Sequence, residues 1–238
     1  MESLAGRVAL VTGAGSGLGR AVSLLLAREG AFTGLLSRRP EPLRRLAEEI
    51  APAGQVLALP ADVRDQAAVD AAVGQLVATA GHLDILVYCA GIGLYGPVGS
   101  YSLADWRATL DTNVTGLFLC SQAALPHLRE RGGQVVAISS GAGRRGYANL
   151  AAYSASKFAV IGFMESLAEE VGSLGIRCTT LLPGSILTDF GPSSRAEKEA
   201  RRAEGRTYLR PEAVAEIILQ VLRQPADVWT QQLNVWPC

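Results

Sequence analysis

Tyr153 and Lys157 lie four residues apart in the segment AAYSASKFAV (151–160), where most neighbouring side chains are small. On a helix, this spacing places both residues on one face. A phenol is a weak acid with an ordinary pKa of about 10, and a nearby ammonium group favours its ionised form. The pair is therefore suited to general acid–base catalysis, with the lysine tuning the tyrosine. The alternative is a polar pair on an ordinary helix surface.

A second stretch with chemical meaning is TGAGSGLGR (12–20), which directly follows the apolar run RVALVT. Gly13, Gly17 and Gly19 meet the spacing GxxxGxG. Glycines between a strand and a helix permit a tight turn and let the backbone approach a pyrophosphate, which the helix N-terminus then favours. The stretch predicts a dinucleotide site; the alternative is a tight turn without a ligand.

The end of the second predicted strand, LLSRRPEP (35–42), carries Ser37, Arg38 and Arg39 where NAD sites usually carry an acidic residue. An arginine here suits a 2′-phosphate, so NADP(H) is the preferred cofactor. NAD(H) is the alternative, in which both arginines are solvated. Asp62, after the third predicted strand, is placed either to bond an adenine edge or to cap the next helix.

Short apolar runs alternate with helical patterns, and this alternation predicts the elements that must position these residues. Strands are predicted at 7–12, 31–37, 55–60, 84–90, 133–139, 176–183 and 232–236. Helices are predicted at 17–29, 42–50, 65–80, 102–131, 151–174 and 211–222. Strands that are apolar throughout are buried on both faces and parallel. We predict an α/β fold: one doubly wound Rossmann-type domain over 1–238, with a mostly parallel seven-stranded sheet, helices on both faces and a mobile substrate lid at 185–210.

The composition excludes several classes of protein. The 238 residues carry no net charge, and 49% of them are hydrophobic. Nucleic-acid-binding proteins show a basic excess, and disordered chains are poor in aliphatic residues. No apolar run reaches the length of a membrane span, and the N-terminal sequence does not resemble a signal peptide. We expect a cytoplasmic protein without a nucleic-acid or membrane partner.

Metal and disulfide sites are not expected. His82 and His127 are isolated from other metal-ligating residues. The cysteines lie far apart and form no CxxC pair, which favours reduced structural thiols; they are Cys89, Cys120, Cys178 and Cys238.

Several motifs occur in a fixed order along the chain: TGxxxGxG, AG after the fourth strand, Asn113 in LDTNVTG, Ser140 thirteen residues before Tyr153, YSASK, and PGSILT (183–188). Together they resemble the short-chain dehydrogenase/reductase family over essentially the whole chain. The resemblance implies an oxidoreductase that transfers a hydride between NADP(H) and a carbonyl or secondary alcohol substrate. It also implies a homodimer or homotetramer built on the two long helices.

The resemblance also implies residue roles. Tyr153 would be the general acid or base, Ser140 would hold the substrate oxygen, Lys157 would bond the nicotinamide ribose and lower the pKa of Tyr153, and Asn113 would hold a water in the proton relay. The cofactor-binding residues that the loops and the resemblance predict are Gly13, Gly15, Ser16, Gly17, Leu18, Gly19, Ser37, Arg38, Arg39, Asp62, Val63, Ala90, Gly91, Tyr153, Lys157, Pro183, Gly184, Ile186 and Thr188.

The chain departs from the family pattern after the fourth strand, where YCAG (88–91) replaces NNAG. Tyr88 and Cys89 stand in place of two asparagines, which puts cofactor affinity and loop rigidity in question. Cys89 is either a redox-sensitive thiol or, as we expect, a buried inert one. Two alternative functions stay open: an NAD-linked hydroxyl dehydrogenase of the same family, and a catalytically silent NADP-binding regulator.

The substrate pocket is expected to have apolar walls and a basic rim. The resemblance implies that its apolar lining is Leu94, Tyr95, Tyr147 and Phe190, and the alternative is that these side chains only pack in loops. Arg144 and Arg145 either bind an acidic substrate group at the rim or are solvated.

Overall fold

The apolar runs form one sheet in the computed structural model, which describes residues 2–238. The strands are β1 (Val8–Thr12), β2 (Phe32–Ser37), β3 (Val56–Pro60), β4 (Ile85–Tyr88), β5 (Gly133–Ile138), β6 (Ile176–Pro183) and β7 (Gln232–Val235). Their order is β3-β2-β1-β4-β5-β6-β7, and every neighbouring pair is parallel. The sheet is therefore wholly parallel, because even the last strand returns through a helical crossover.

Helices cover both faces of the sheet, as its apolar strands require. They are α1 (Gly17–Arg28), α2 (Pro40–Ile50), α3 (Gln66–Ala80), α4 (Leu103–Leu110), α5 (Gly116–Leu128), α6 (Ala151–Val171), α7 (Arg195–Ala203) and α8 (Pro211–Leu222). One apolar core lies between the sheet and α3, α5 and α6, and the other lies beneath α1, α2 and α8. This arrangement confirms the predicted doubly wound fold. Within residues 2–238, no helix is both long and apolar enough to cross a bilayer.

The helix predicted at 102–131 is interrupted, which corrects that prediction. Ser102 caps its start by accepting a hydrogen bond from the amide of Asp105 (3.0 Å), as expected. After α4, the residues Asp111–Thr115 form a π-helical turn in which the amide of Gly116 donates to the carbonyl of Asp111. The chain then continues as α5. Such π-turns are rare and occur often at functional sites.

The structure also decides one open alternative and adds one helix that was not predicted. The cap of α3 is Asp65, whose carboxylate accepts from the amide of Ala68 (3.1 Å), so Asp62 is not a cap. The weakly patterned segment that follows β6 contains α7, whose start is stabilised by a capping box between Ser194 and Glu197. This box was the signal in the sequence that could have predicted the helix.

Candidate active site

The carboxyl ends of β1, β4, β5 and β6 border a cleft of about 1330 Å³. A smaller cavity of about 150 Å³ adjoins it beyond the ends of β2 and β3. Every predicted cofactor residue lines one or both cavities. The larger cleft includes Gly13, Ser16, Gly17, Leu18, Gly19, Arg39, Ala90, Gly91, Tyr153, Lys157, Pro183, Gly184, Ile186 and Thr188. The smaller cavity includes Gly15, Ser37, Arg38, Asp62 and Val63.

The glycine loop comes very close to the strand beside it. Gly13 has a φ of 65°, and a Cβ at this position would lie 2.9 Å from the amide nitrogen of Ala90. A Cβ on Gly19 would collide with the carbonyl of Gly13. Ser16 precedes α1, and its hydroxyl makes no capping bond to the helix. The first amides of α1 therefore have no side-chain acceptor, which fits a bound pyrophosphate.

The smaller cavity is basic on one side. Among the ion pairs of residues 2–238, none includes Arg38 or Arg39. Two uncommitted guanidinium groups fit a phosphate. Asp62 lines the same cavity, but Arg64 binds both of its carboxylate oxygens, with the shortest contact at 2.6 Å. That hydrogen-bonded pair holds the pKa of Asp62 below its usual range.

Tyr153, Ser140 and Lys157 meet at the larger cleft. The ring of Tyr153 packs against the rings of Tyr95 and Phe190, with centroids 5.6 and 5.7 Å away. The Nζ atom of Lys157 lies 5.6 Å from the centre of the Tyr153 ring and donates to the carbonyl of Ile138 (2.8 Å). The predicted pair is therefore not an exposed surface pair, because both side chains are buried.

Burial dominates the electrostatics of this pair. It raises the pKa of Tyr153 well above its ordinary value, the nearby Tyr95 adds to the rise, and a hydrogen bond with Ser140 opposes it. Burial also lowers the pKa of Lys157 to about 8. Lys157 is not among the groups that shift the pKa of Tyr153 in the protein without cofactor, so its expected effect on this phenol stays a prediction.

Asn113 occupies the π-turn and is fully buried, but its side chain does not line the cleft. Its Oδ1 accepts from the amide of Ile92 (2.8 Å), and its Nδ2 donates to the carbonyl of Ile92 (3.0 Å) and to Ser156 Oγ (2.9 Å). Both polar atoms thus have protein partners. Asn113 therefore joins the loop after β4 to α6, and its predicted role in holding a water stays a prediction.

The segment after β6 is held by Lys198, which no motif in the sequence singles out. Lys198 of α7 is buried, and its Nζ donates to the carbonyls of Thr188 (2.7 Å) and Phe190 (2.7 Å). The chain on either side of α7 is also joined by a parallel bridge between Ile186 and Leu209. These contacts tie the predicted lid to the wall of the cleft.

The predicted pocket walls lie around the same cleft. All four expected lining residues, Leu94, Tyr95, Tyr147 and Phe190, border it. Arg145 also lines it and donates from Nε to the hydroxyl of Tyr147 (2.8 Å), whereas Arg144 contacts Gln232 instead. Only one of the two arginines is therefore at the pocket.

The thiol and imidazole groups show little sign of reactivity. Burial raises the pKa of Cys89 to about 12, which favours the inert reading of this thiol. His82 contacts Asp84 at 3.0 Å, away from the cleft. Residues 2–238 contain no cluster of three or more His, Cys, Asp or Glu side chains arranged to hold a metal ion.

The family model for short chain dehydrogenases matches residues 7–199. The chain is 34% identical to an uncharacterized oxidoreductase of Staphylococcus haemolyticus over the full length of both proteins. It is 39% identical to a glycine betaine reductase of Emericella nidulans over 98% of this chain, which spans only 19% of that protein.

Solved structures agree with these matches. An alcohol dehydrogenase of Thermococcus sibiricus, complexed with 5-hydroxy-NADP, superimposes with a TM-score of 0.87 at 26% identity over 96% of this chain and 95% of that one. A metagenomic short-chain oxidoreductase in complex with NADP gives a TM-score of 0.85 at 30% identity over 100% and 99% of the two chains. The chain belongs to the short-chain dehydrogenase family, and it is an oxidoreductase of that family.

Proposed function

We propose that the protein is an NADP(H)-dependent carbonyl reductase, or in the reverse direction a dehydrogenase of secondary alcohols, with Tyr153 as the general acid or base. One observation carries this proposal: Tyr153, Ser140 and Lys157 meet at the same cleft as the glycine loop that follows β1. If Tyr153 and Lys157 were only a surface pair, or the glycine loop only a tight turn, the two features would have no reason to lie at one cleft.

Bound in the cleft, NADPH would supply the hydride that the carbonyl carbon accepts. Tyr153 transfers its phenolic proton to the carbonyl oxygen, while the hydroxyl of Ser140 holds that oxygen in place. The buried ammonium of Lys157 stabilises the phenolate that remains. Tyr95 and Phe190 pack against the buried phenol, and burial from water strengthens both interactions.

NADP(H) is the proposed cofactor because Arg38 and Arg39 lie beside the smaller cavity without carboxylate partners among residues 2–238. The two NADP-type ligands in the structural relatives support this choice. Arg38→Ala should weaken NADPH binding at least tenfold and change NADH binding little, because only NADPH carries the 2′-phosphate. Arg44→Ala is the matched control, since Arg44 lies on the adjoining helix in an exposed pair with Glu41.

The proposed substrate has an apolar group next to its carbonyl, because aromatic rings form the walls around Tyr153. The test is a screen of NADPH oxidation with aldehydes, ketones, quinones and acyl thioesters. We expect turnover of at least one apolar carbonyl compound. NADPH binding without oxidation by any of them would instead support the silent regulator, and tighter binding of NADH than of NADPH would support the NAD-linked dehydrogenase.

We also propose that the protein forms a homodimer or homotetramer through the face that carries α4, α5 and α6. Large apolar side chains are exposed there: Leu103, Phe118 and Phe158. Exposed apolar patches of this kind often mark interfaces. Light scattering should give a multiple of the 25.0 kDa chain mass, and Phe118→Glu with Phe158→Glu should reduce it to one chain. A monomeric parent protein would contradict the proposal.

A further inference from the structure

The π-turn between α4 and α5 leaves one backbone carbonyl without its helical partner. In a regular α-helix, the amide of Gly116 would donate to Thr112. Here it donates to Asp111, one residue further back. The carbonyl of Thr112 is buried, and an unpaired buried carbonyl destabilises the conformation that contains it. The turn therefore needs a replacement donor at this point.

That donor is the hydroxyl of Tyr88, which lies 2.5 Å from the carbonyl oxygen of Thr112. Tyr88 is the last residue of β4, and its side chain is 2% exposed. The fit around it is tight, because a Cβ on Gly116 would collide with the Tyr88 hydroxyl. Burial raises the pKa of this phenol well above its ordinary value, so the group keeps its proton and remains a donor.

The Tyr88 hydrogen bond and the contacts of Asn113 together hold both ends of the cofactor loop that follows β4. Asn113 follows Thr112 in the chain, and its side chain forms hydrogen bonds with both the amide and the carbonyl of Ile92. Ile92 lies only four residues after Tyr88, and the loop between them includes Gly91, which lines both cavities. Asn113 also reaches Ser156 of α6, whose hydroxyl donates to the carbonyl of Tyr153 (2.7 Å).

We propose that Tyr88 is a positioning residue: its hydroxyl holds the π-turn at Thr112 and thereby sets Asn113, the cofactor loop and the helix that carries Tyr153. The catalytic consequence rests on the proposed function, whereas the positioning itself does not. This assigns a role to the side chain that departs from the family pattern after β4. The tyrosine contacts neither cavity, so it acts only through the turn.

The direct test is hydrogen–deuterium exchange on the protein without cofactor, comparing the parent with Tyr88→Phe, which removes only the hydroxyl. Amides at 91–93 and 113–117 should exchange about 5- to 100-fold faster, as expected for a buried acceptor left unpaired. Leu46→Ala is the control, because Leu46 belongs to α2 and is buried in the core on the opposite face of the sheet. It should lower global stability at least as much without selectively affecting these amides.

Unchanged exchange at these amides in Tyr88→Phe would overturn the inference, as would an equal local effect in Leu46→Ala. Calorimetric binding of NADPH gives a second readout. Tyr88→Phe should weaken it by about threefold or more, and the loss should shrink in an Asn113→Ala background, since coupled residues are not additive. Equal losses in both backgrounds would contradict the inference. A parent protein that binds no NADPH would defeat the proposed function, and the exchange result would still decide the role of Tyr88.

Discussion

Gly13→Ala tests the close approach that shapes the nucleotide loop. Gly13 has a φ of 65°, and a left-handed conformation costs a residue with a Cβ about 1–2 kcal/mol. The new methyl group would also lie 2.9 Å from the amide nitrogen of Ala90 and 3.0 Å from its Cα. Ordinary contacts are about 3.5–4.0 Å, so the loop must move away from β4. Overpacking of this kind costs a further 1–3 kcal/mol, roughly.

We therefore expect Gly13→Ala to lose about 2–5 kcal/mol of unfolding free energy and at least tenfold in NADPH affinity. Urea unfolding and calorimetry measure the two quantities. Gly74→Ala is the matched control, because Gly74 is exposed within α3 and its Cβ would meet nothing within 4 Å. That change should stabilise the protein by about 1 kcal/mol and leave binding unchanged. Parent-like stability and NADPH affinity in Gly13→Ala would refute the close approach of this loop to Ala90.

Two further predictions concern the buried lysines. Lys198→Met should raise the KM for a carbonyl substrate about tenfold, because it releases the carbonyls of Thr188 and Phe190 from α7, while Arg202→Met on the same helix should not. Similar KM values in the two variants would show that Lys198 does not hold the pocket wall. Because burial lowers the pKa of Lys157 to about 8 against an ordinary 10.5, the folded state releases its proton first. Between about pH 8 and pH 10.5 the unfolded chain therefore binds more protons than the folded protein. As the pH rises through this range, the unfolding free energy of the parent should increase relative to that of Lys157→Met, by up to about 1.4 kcal/mol per pH unit in urea unfolding. If the unfolding free energies of the parent and Lys157→Met change equally with pH, the pKa of Lys157 is not lowered.

The sequence allowed the fold and the residues around the cleft to be predicted because parallel strands bring their carboxyl ends to one edge. Residues that follow different strands, such as Gly13, Asp62 and Ser140, were expected to converge for that reason, and they do line the two adjoining cavities. The order of apolar runs along the chain is enough to predict this convergence, without information on long-range contacts.

The features that escaped prediction depend on contacts between distant residues or on ambiguous local signals. The π-turn is completed by Tyr88, which is 24 positions from Thr112 in the chain, and no local pattern marks that bond. Similarly, no local pattern distinguishes Lys198 from the other charged residues of its segment, because its carbonyl partners are set by the fold. Asp62 and Asp65 both precede α3, and composition alone does not say which one caps it.

The most direct test of the proposed catalysis is Tyr153→Phe, which removes only the phenolic hydroxyl. With a carbonyl compound that the parent reduces, turnover should fall by about 10²- to 10⁴-fold, the usual contribution of a general acid. NADPH affinity, measured by calorimetry on the same preparation, should stay within about threefold, because the cofactor cleft keeps its other contacts. Parent-like turnover in Tyr153→Phe would show that this tyrosine is not the acid.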